Sequence, residues 1–275
     1  MDYILYLLIF CIGAVFGSFY TLAVYRIPLR QDITHTRSYC PKCNHKLSFF
    51  DMIPILSYIF LGGKCRYCKQ KIRPRYFLLE ILSGVVFVLF AISIKFNVLS
   101  VILADRQLII YMITGLLYIS TLFIIAGIDK ENIKIERPVL LFGFICVSLY
   151  MMYLYIVEKE ANMYRYVIYL AVYLVLTVVD TVYTRKTAKQ SYTIGILLLL
   201  NIIGMFTYEI VCIYTIAITL ILIAVKIIVN KIKVRKHKCV KSQDSTHAKL
   251  PIGFYMCASN ITTLITSYIF IFYYM

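Results

Sequence analysis

Apolar residues in this chain fall into long continuous blocks rather than alternating with polar ones. Eight blocks stand out, at 3–24, 77–97, 107–128, 138–157, 164–184, 192–207, 209–229 and 252–273. Most are near the ~20 residues that a helix needs to cross a bilayer. In lipid the backbone must satisfy its own polar groups, so each block predicts a helix; a barrel would need alternating strands of about 10 residues. The break between 192–207 and 209–229 is only Tyr208-Glu209, which predicts a tight turn. The first block is too long for a signal-peptide core and has no basic stretch before it, so it reads as a retained first span.

Composition agrees with this pattern. Of the 275 residues 61% are hydrophobic, mean hydropathy is +0.82, and soluble domains are usually about 45–50% apolar. Trp is absent while Tyr numbers 25, which leaves Tyr to fill the interfacial belts. The expected fold is an all-α polytopic membrane protein of about eight transmembrane helices. Its expected parts are a first helix at 1–24, a small cytoplasmic domain at 25–76 between helices 1 and 2, and a helical bundle at 77–275 with a basic loop at 230–250.

Charge supplies the orientation. The formal net charge is +16, and 25 of the 29 Lys and Arg lie in or beside the segments 25–76, 129–137, 185–191 and 230–250. With eight spans these segments share one side, leaving Lys95, Arg106, Lys159 and Arg165 on the other. That is the positive-inside bias, so the basic side is expected in the cytoplasm and both termini outside. Topology accounts for the charge without nucleic acid. The loop "NKIKVRKHKCVK" also suits contact with anionic membrane lipid.

Segment 25–76 contains "CPKCNHKLSFFDMIPILSYIFLGGKCRYCK". Cys40 and Cys43 form one C-x-x-C, and Cys65 and Cys68 form a second. Two such knuckles predict a tetrahedral zinc site with Zn–S bonds of about 2.3 Å. Disulfides are the rival, disfavoured on a cytoplasmic side; a redox C-x-x-C usually comes singly on a βα unit, and none is predicted here. Four thiolates leave no open position on the metal, so the role is structural. His45 reads as an ordinary loop histidine. Of the other five cysteines (11, 146, 212, 239 and 257), four lie in apolar runs and behave as small apolar residues.

These residues carry a resemblance. "GAVFGSFYTLAVYRIPLR" (13–30) resembles the opening signature of the type IV prepilin peptidases. The run from Cys40 to Gly84, through "IPILSYIFLGGKCRYCKQKIRPRYFLLEILSG", is similar to that family almost position for position, and "LPIGFYMCASN" (250–260) resembles a later motif. The match is strong in the first third of the chain and weak after residue 138. It implies an integral aspartic endopeptidase of the bacterial cytoplasmic membrane, which removes the basic leader of type IV prepilins and pseudopilins at the cytoplasmic face. Many members also methylate the new N-terminus with S-adenosylmethionine.

The family's peptidase uses two aspartates, one in an A-x-I-D context and one in G-x-G-D. Asp129, in "AGID", matches the first, and an ionisable group at a span's end is costly and usually functional. Hydrolysis by carboxylates needs a second acid sharing a proton with the first. The G-x-G-D slot, however, lands on Ser191 or Tyr192, and the motif's glycines are missing. Asp180 is the nearest substitute, at a similar expected depth; the other partners open to it are Arg185, Lys186 and Thr184. Glu160 and Glu209 fall on the wrong side by the charge pattern. Where the family usually has Pro-Asp after the first aspartate, this chain has Glu136 and Arg137, then Pro138. Glu80, inside the second span, is expected to be buried and to need a cation such as Arg73 or Arg75. Three functions fit: a peptidase with a rearranged dyad, a methyltransferase without the protease, or a non-catalytic zinc-bearing protein that docks pilins or assembly partners.

Overall fold

A computed structural model describes residues 2–33, 38–40, 42–158, 163–236 and 250–274. The chain divides into two compact units, Met1–Leu116 with Ile271–Met275, and Leu117–Phe270. The described residues contain helices and turns but no strand; two isolated bridges, Tyr39 to Lys46 and Lys64 to Lys71, are the only sheet-like pairing among them.

The first unit is built on α1 (Asp2–Arg26) and α3 (Pro74–Ser93), with a short helix α2 (Leu56–Phe60) between them. Pro74 sits at the first position of α3, where its missing N–H costs nothing. Gly13 and Gly17, one turn apart on α1, let the two backbones touch. A Cβ on Gly13 would stand 2.7 Å from Gly84 Cα, and one on Gly17 would stand 2.7 Å from Glu80 Cα. Small residues at this spacing are a general device for close helix approach in lipid. The Ser83 hydroxyl seals the seam by donating to Gly13 O at 2.6 Å. A short helix α4 (Val98–Ile102), capped by Asn97, leads into α5 (Arg106–Asn132).

The second unit holds the end of α5 with α6 (Arg137–Tyr153), α7 (Met163–Thr187), α8 (Tyr192–Phe206), α9 (Glu209–Lys236) and α10 (Ile252–Tyr274). Ile119, Leu122, Ile125, Ile128, Leu140, Leu199, Ile202 and Ile203 are fully buried. Polar groups inside this core pair with one another, as apolar surroundings require. Tyr118 Oη donates to Asn260 Oδ1 at 2.7 Å, Asn260 Nδ2 donates to Thr215 at 3.2 Å, and the Thr215 and Thr263 hydroxyls share a bond of 2.9 Å. Arg165 closes the C-terminal end of α8 by donating to Gly204 O at 2.9 Å and Thr207 O at 2.6 Å.

All eight apolar blocks are helical, and the tight turn between α8 and α9 is present, at residues 207–208. Among the described residues six helices are long and apolar enough to cross a membrane. α8 is apolar but has 15 residues, a rise of about 22 Å against a hydrocarbon core of ~30 Å. α9 runs to Lys236 and so takes in the start of the basic segment expected as loop; 237–249 lies outside the described residues.

Candidate functional site

The four cysteines of the sequence motif converge. Their sulfurs all lie within 4.8 Å of one another, and Cys40 Sγ is 3.8 Å from Cys68 Sγ. A tetrahedron with bonds of about 2.3 Å has edges of about 3.8 Å, so the arrangement fits one metal ion. The two halves are built alike. Asn44 N donates to Cys40 O at 2.8 Å, and Lys69 N donates to Cys65 O at 3.0 Å. Cys40 N and Cys65 N in turn donate to His45 O and Gln70 O at 3.0 and 2.9 Å. Asn44 and Lys69, each four residues after the leading cysteine, both take positive φ to close the turn. Cys40 and Cys65 are buried, while Cys43 and Cys68 are exposed. A salt bridge of 2.6 Å from Arg66 Nε to Asp51 Oδ1 ties the second knuckle to the turn Phe49–Met52.

Below the knuckles, Glu80 is buried as expected. Its Oε2 is met by the backbone N–H of Ile55, at 2.7 Å, where the sequence suggested an arginine.

In the second unit Asp129 lies in the last turns of α5 and is completely buried. Its Oδ2 accepts from Phe254 N at 2.9 Å and from Tyr192 Oη at 3.2 Å. Its Oδ1 is buried with no hydrogen-bond partner. Phe254 belongs to the first turn of α10, whose N–H groups are unpaired within the helix and favour negative charge. Gly253 makes the approach possible, since a Cβ there would stand 3.1 Å from Asp129 Oδ2. Lys130 Nζ lies 4.9 Å from the centroid of the Phe254 ring.

Tyr192 is the first residue of α8, after Ser191 as its cap. Its hydroxyl accepts from Ile252 N at 2.9 Å and Gly253 N at 3.4 Å while donating to Asp129. Of the two residues on which the slot for a second aspartate lands, Ser191 caps α8 and Tyr192 is bonded to Asp129. Asp180, on α7, is also buried. Its Oδ2 receives Arg137 Nε at 2.6 Å, and the same guanidinium donates to Asp180 O at 3.2 Å and to the Thr184 hydroxyl. Neither Arg185 nor Lys186 is bonded to it; the partner is Arg137, at the start of α6. Asp180 Oδ1 is buried and unpaired, and no hydrogen bond joins Asp180 to Asp129.

Sequence reasoning found Asp129 and the cysteines but assigned no role to Tyr192, Gly253 or the Phe254 N–H. Two signals pointed there: the slot arithmetic ending on Ser191 or Tyr192, and the P-x-G motif at 251–253.

Residues 11–94 match the model of the bacterial peptidase A24 N-terminal domain. Relatives are prepilin leader peptidase/N-methyltransferases. That of Vibrio cholerae is 39% identical over 89 residues, which is 30% of this chain and 35% of the relative. Those of Klebsiella pneumoniae and Bacillus subtilis are 32% identical over 130 residues and 33% over 135, covering 45% and 49% of this chain and 52% and 50% of the relatives. The matches thus span about a third to a half of the length of these relatives. No solved structure matches. In its first third, the knuckle-bearing part, the chain is similar to the prepilin leader peptidase/N-methyltransferases.

Proposed function

We propose that this protein is an endopeptidase of the bacterial cytoplasmic membrane that removes the basic leader from type IV prepilin-like proteins, working at Asp129. One observation carries the reading. Asp129, which matches the aspartate that ends a span in the family motif, is buried with one oxygen held by two donors and the other without a hydrogen-bond partner. The substrate would be an apolar helix arriving through lipid, with its basic leader on the cytoplasmic side. The knuckles would hold structural zinc on that same side, with both termini outside. Methylation of the new N-terminus from S-adenosylmethionine is the finer part of the proposal, and no residue of this chain is assigned to it.

The chemistry follows from what surrounds Asp129. Water gives a proton to Asp129 as its oxygen bonds to the scissile carbonyl carbon. The carbonyl oxygen takes the negative charge and accepts the single O–H hydrogen bond of Tyr192, which leaves Asp129 Oδ2 once that carboxyl carries the proton. That hydroxyl is already polarised by the Ile252 N–H, the arrangement that oxyanion holes use. The C–N bond then breaks as the proton passes from Asp129 to the leaving nitrogen. Tyr192 stands here where the second carboxylate would act. The rival arm is that Asp180 fills that role, which demands that its pair with Arg137 open during turnover.

The test is cleavage of a prepilin from the same cell by the full chain in vesicles, followed by mass. Native protein is expected to cleave, and Asp129→Asn to lose all activity. Tyr192→Phe is expected to fall by about 10²–10³-fold, the usual cost of losing one oxyanion donor, while Asp180→Asn stays close to native in the folded fraction. The opposite ranking of those two variants would assign the second role to Asp180. Undiminished cleavage by Asp129→Asn, or none by the native chain, overturns the proposal.

A further inference from the structure

The apolar face of the knuckle unit is large and uncovered. Phe49, Phe50, Leu56, Ile59 and Phe60 are 73, 69, 51, 57 and 83% exposed. They lie on the turn Phe49–Met52, where Asp51 is bridged to Arg66, and on α2. Soluble surfaces rarely concentrate five large apolar side chains on twelve residues.

Two contacts set the depth of this face. The Tyr58 ring stacks on Phe77, with centroids 4.9 Å apart and planes at 18°. The Ile55 N–H reaches Glu80 at 2.7 Å, and Ile55 takes a positive φ of 62° to aim it, a strained conformation that its surroundings must hold in place. Phe77 and Glu80 are three and six residues beyond Pro74, or about 4.5 and 9 Å along α3. The segment from Ile55 to Phe60 therefore stands beside the first two turns of a membrane-spanning helix, not above it. At the same level α3 turns its own Leu78 and Leu82 outward, 59 and 49% exposed. The exposed rings of α2 continue that surface sideways.

The charge around it completes the pattern. Lys42, Lys46, Lys64, Arg66, Lys69, Lys71 and Arg73 are exposed, and Asp51 is the sole acid from residue 42 to 75. Apolar side chains level with a span's first turns, rimmed by Lys and Arg, match the acyl boundary and anionic headgroups of a leaflet. We infer that Phe49–Phe60 is a monotopic membrane insert that seats the metal-binding knuckles in the leaflet beside α3. This stands independently of whether Asp129 hydrolyses anything.

The chain has no Trp, so a single substitution gives a clean reporter. Phe60→Trp and Phe50→Trp replace exposed side chains and leave the interior alone. Each full-length variant would be reconstituted in phosphatidylglycerol-phosphatidylcholine vesicles, with and without lipids brominated in the upper acyl chain. The expected result is blue-shifted emission, most of it lost to the brominated lipid and little of it to aqueous iodide. Lys42→Trp, at the knuckle tip, should behave oppositely. Water-like emission quenched by iodide at both positions 50 and 60 overturns the inference. So does emission shielded from iodide yet untouched by brominated lipid, which would mean that protein covers the face, either a second copy or a substrate helix.

Discussion

Two buried carboxylates in this protein have opposite neighbours. Asp180 faces a guanidinium, whereas Asp129 faces a hydroxyl and a helix N-terminus and, among the described residues, no ion-pair partner. Removing one member of a buried pair strands the other, at about 3–5 kcal/mol. Arg137→Met, which leaves Asp180 alone inside, is expected to cost more than Asp180→Asn, because the Arg137 side chain is 40% exposed and regains water. The double variant should be milder than the worse single one, and thermal unfolding in detergent gives the three values. Asp51 behaves differently with pH. Burial pushes its carboxyl up, but the hydrogen bonds from Ser48 and Arg66 outweigh this and hold it below the usual carboxylate range. Its stabilisation is therefore complete above about pH 4, the unfolded value, and is lost as pH falls through the lower folded one. Asp51→Asn should therefore speed limited proteolysis of the knuckle segment at neutral pH, with zinc in place. Asp129 could be singled out in the sequence because it ends an apolar run in the context AGID, which resembles the family motif. Tyr192 could be reached only as one of two residues in the slot where an aspartate was sought, because one tyrosine among 25 carries no mark of a role. The Phe254 N–H is main chain, which no side-chain pattern records.

At the level of elements, continuous apolar runs read as helices because lipid leaves the backbone no partner but itself, while run length misjudged α8, whose 15 residues fall short of a span. What hydropathy could not give were the contacts. Arg137 meets Asp180 across 43 positions, and only the packing of α6 on α7 brings them together. The cysteines were legible for a different reason: tetrahedral geometry demands two tight turns, and C-x-x-C writes each of them locally. Those turns predict a measurable dependence on metal. Purified protein should carry one zinc per chain, and a strong chelator or Cys65→Ser should open residues 42–73 to proteolysis. The helices of the second unit should keep their circular dichroism signal, since none of the four ligands lies there.

Across the whole molecule the chain is two-fold in character. Its first third is matched by a family model over residues 11–94, while Asp129 lies in the other unit, beyond that match. The charge distribution remains the only guide to orientation. It predicts that a periplasm-dependent phosphatase fused after Met275 is active in cells and one inserted near residue 189 is silent; the reverse pattern would invert the topology.

α8 has a consequence for the depth of the site. An apolar rod about 22 Å long falls short of a slab of ~30 Å, and other helices rather than lipid cover most of it, from Gly195 to Phe206. Tyr192 is the first residue of that rod, so any shortfall at that end sets Tyr192 and Asp129 inside the level of the headgroups, where a substrate bond at the same depth would meet them.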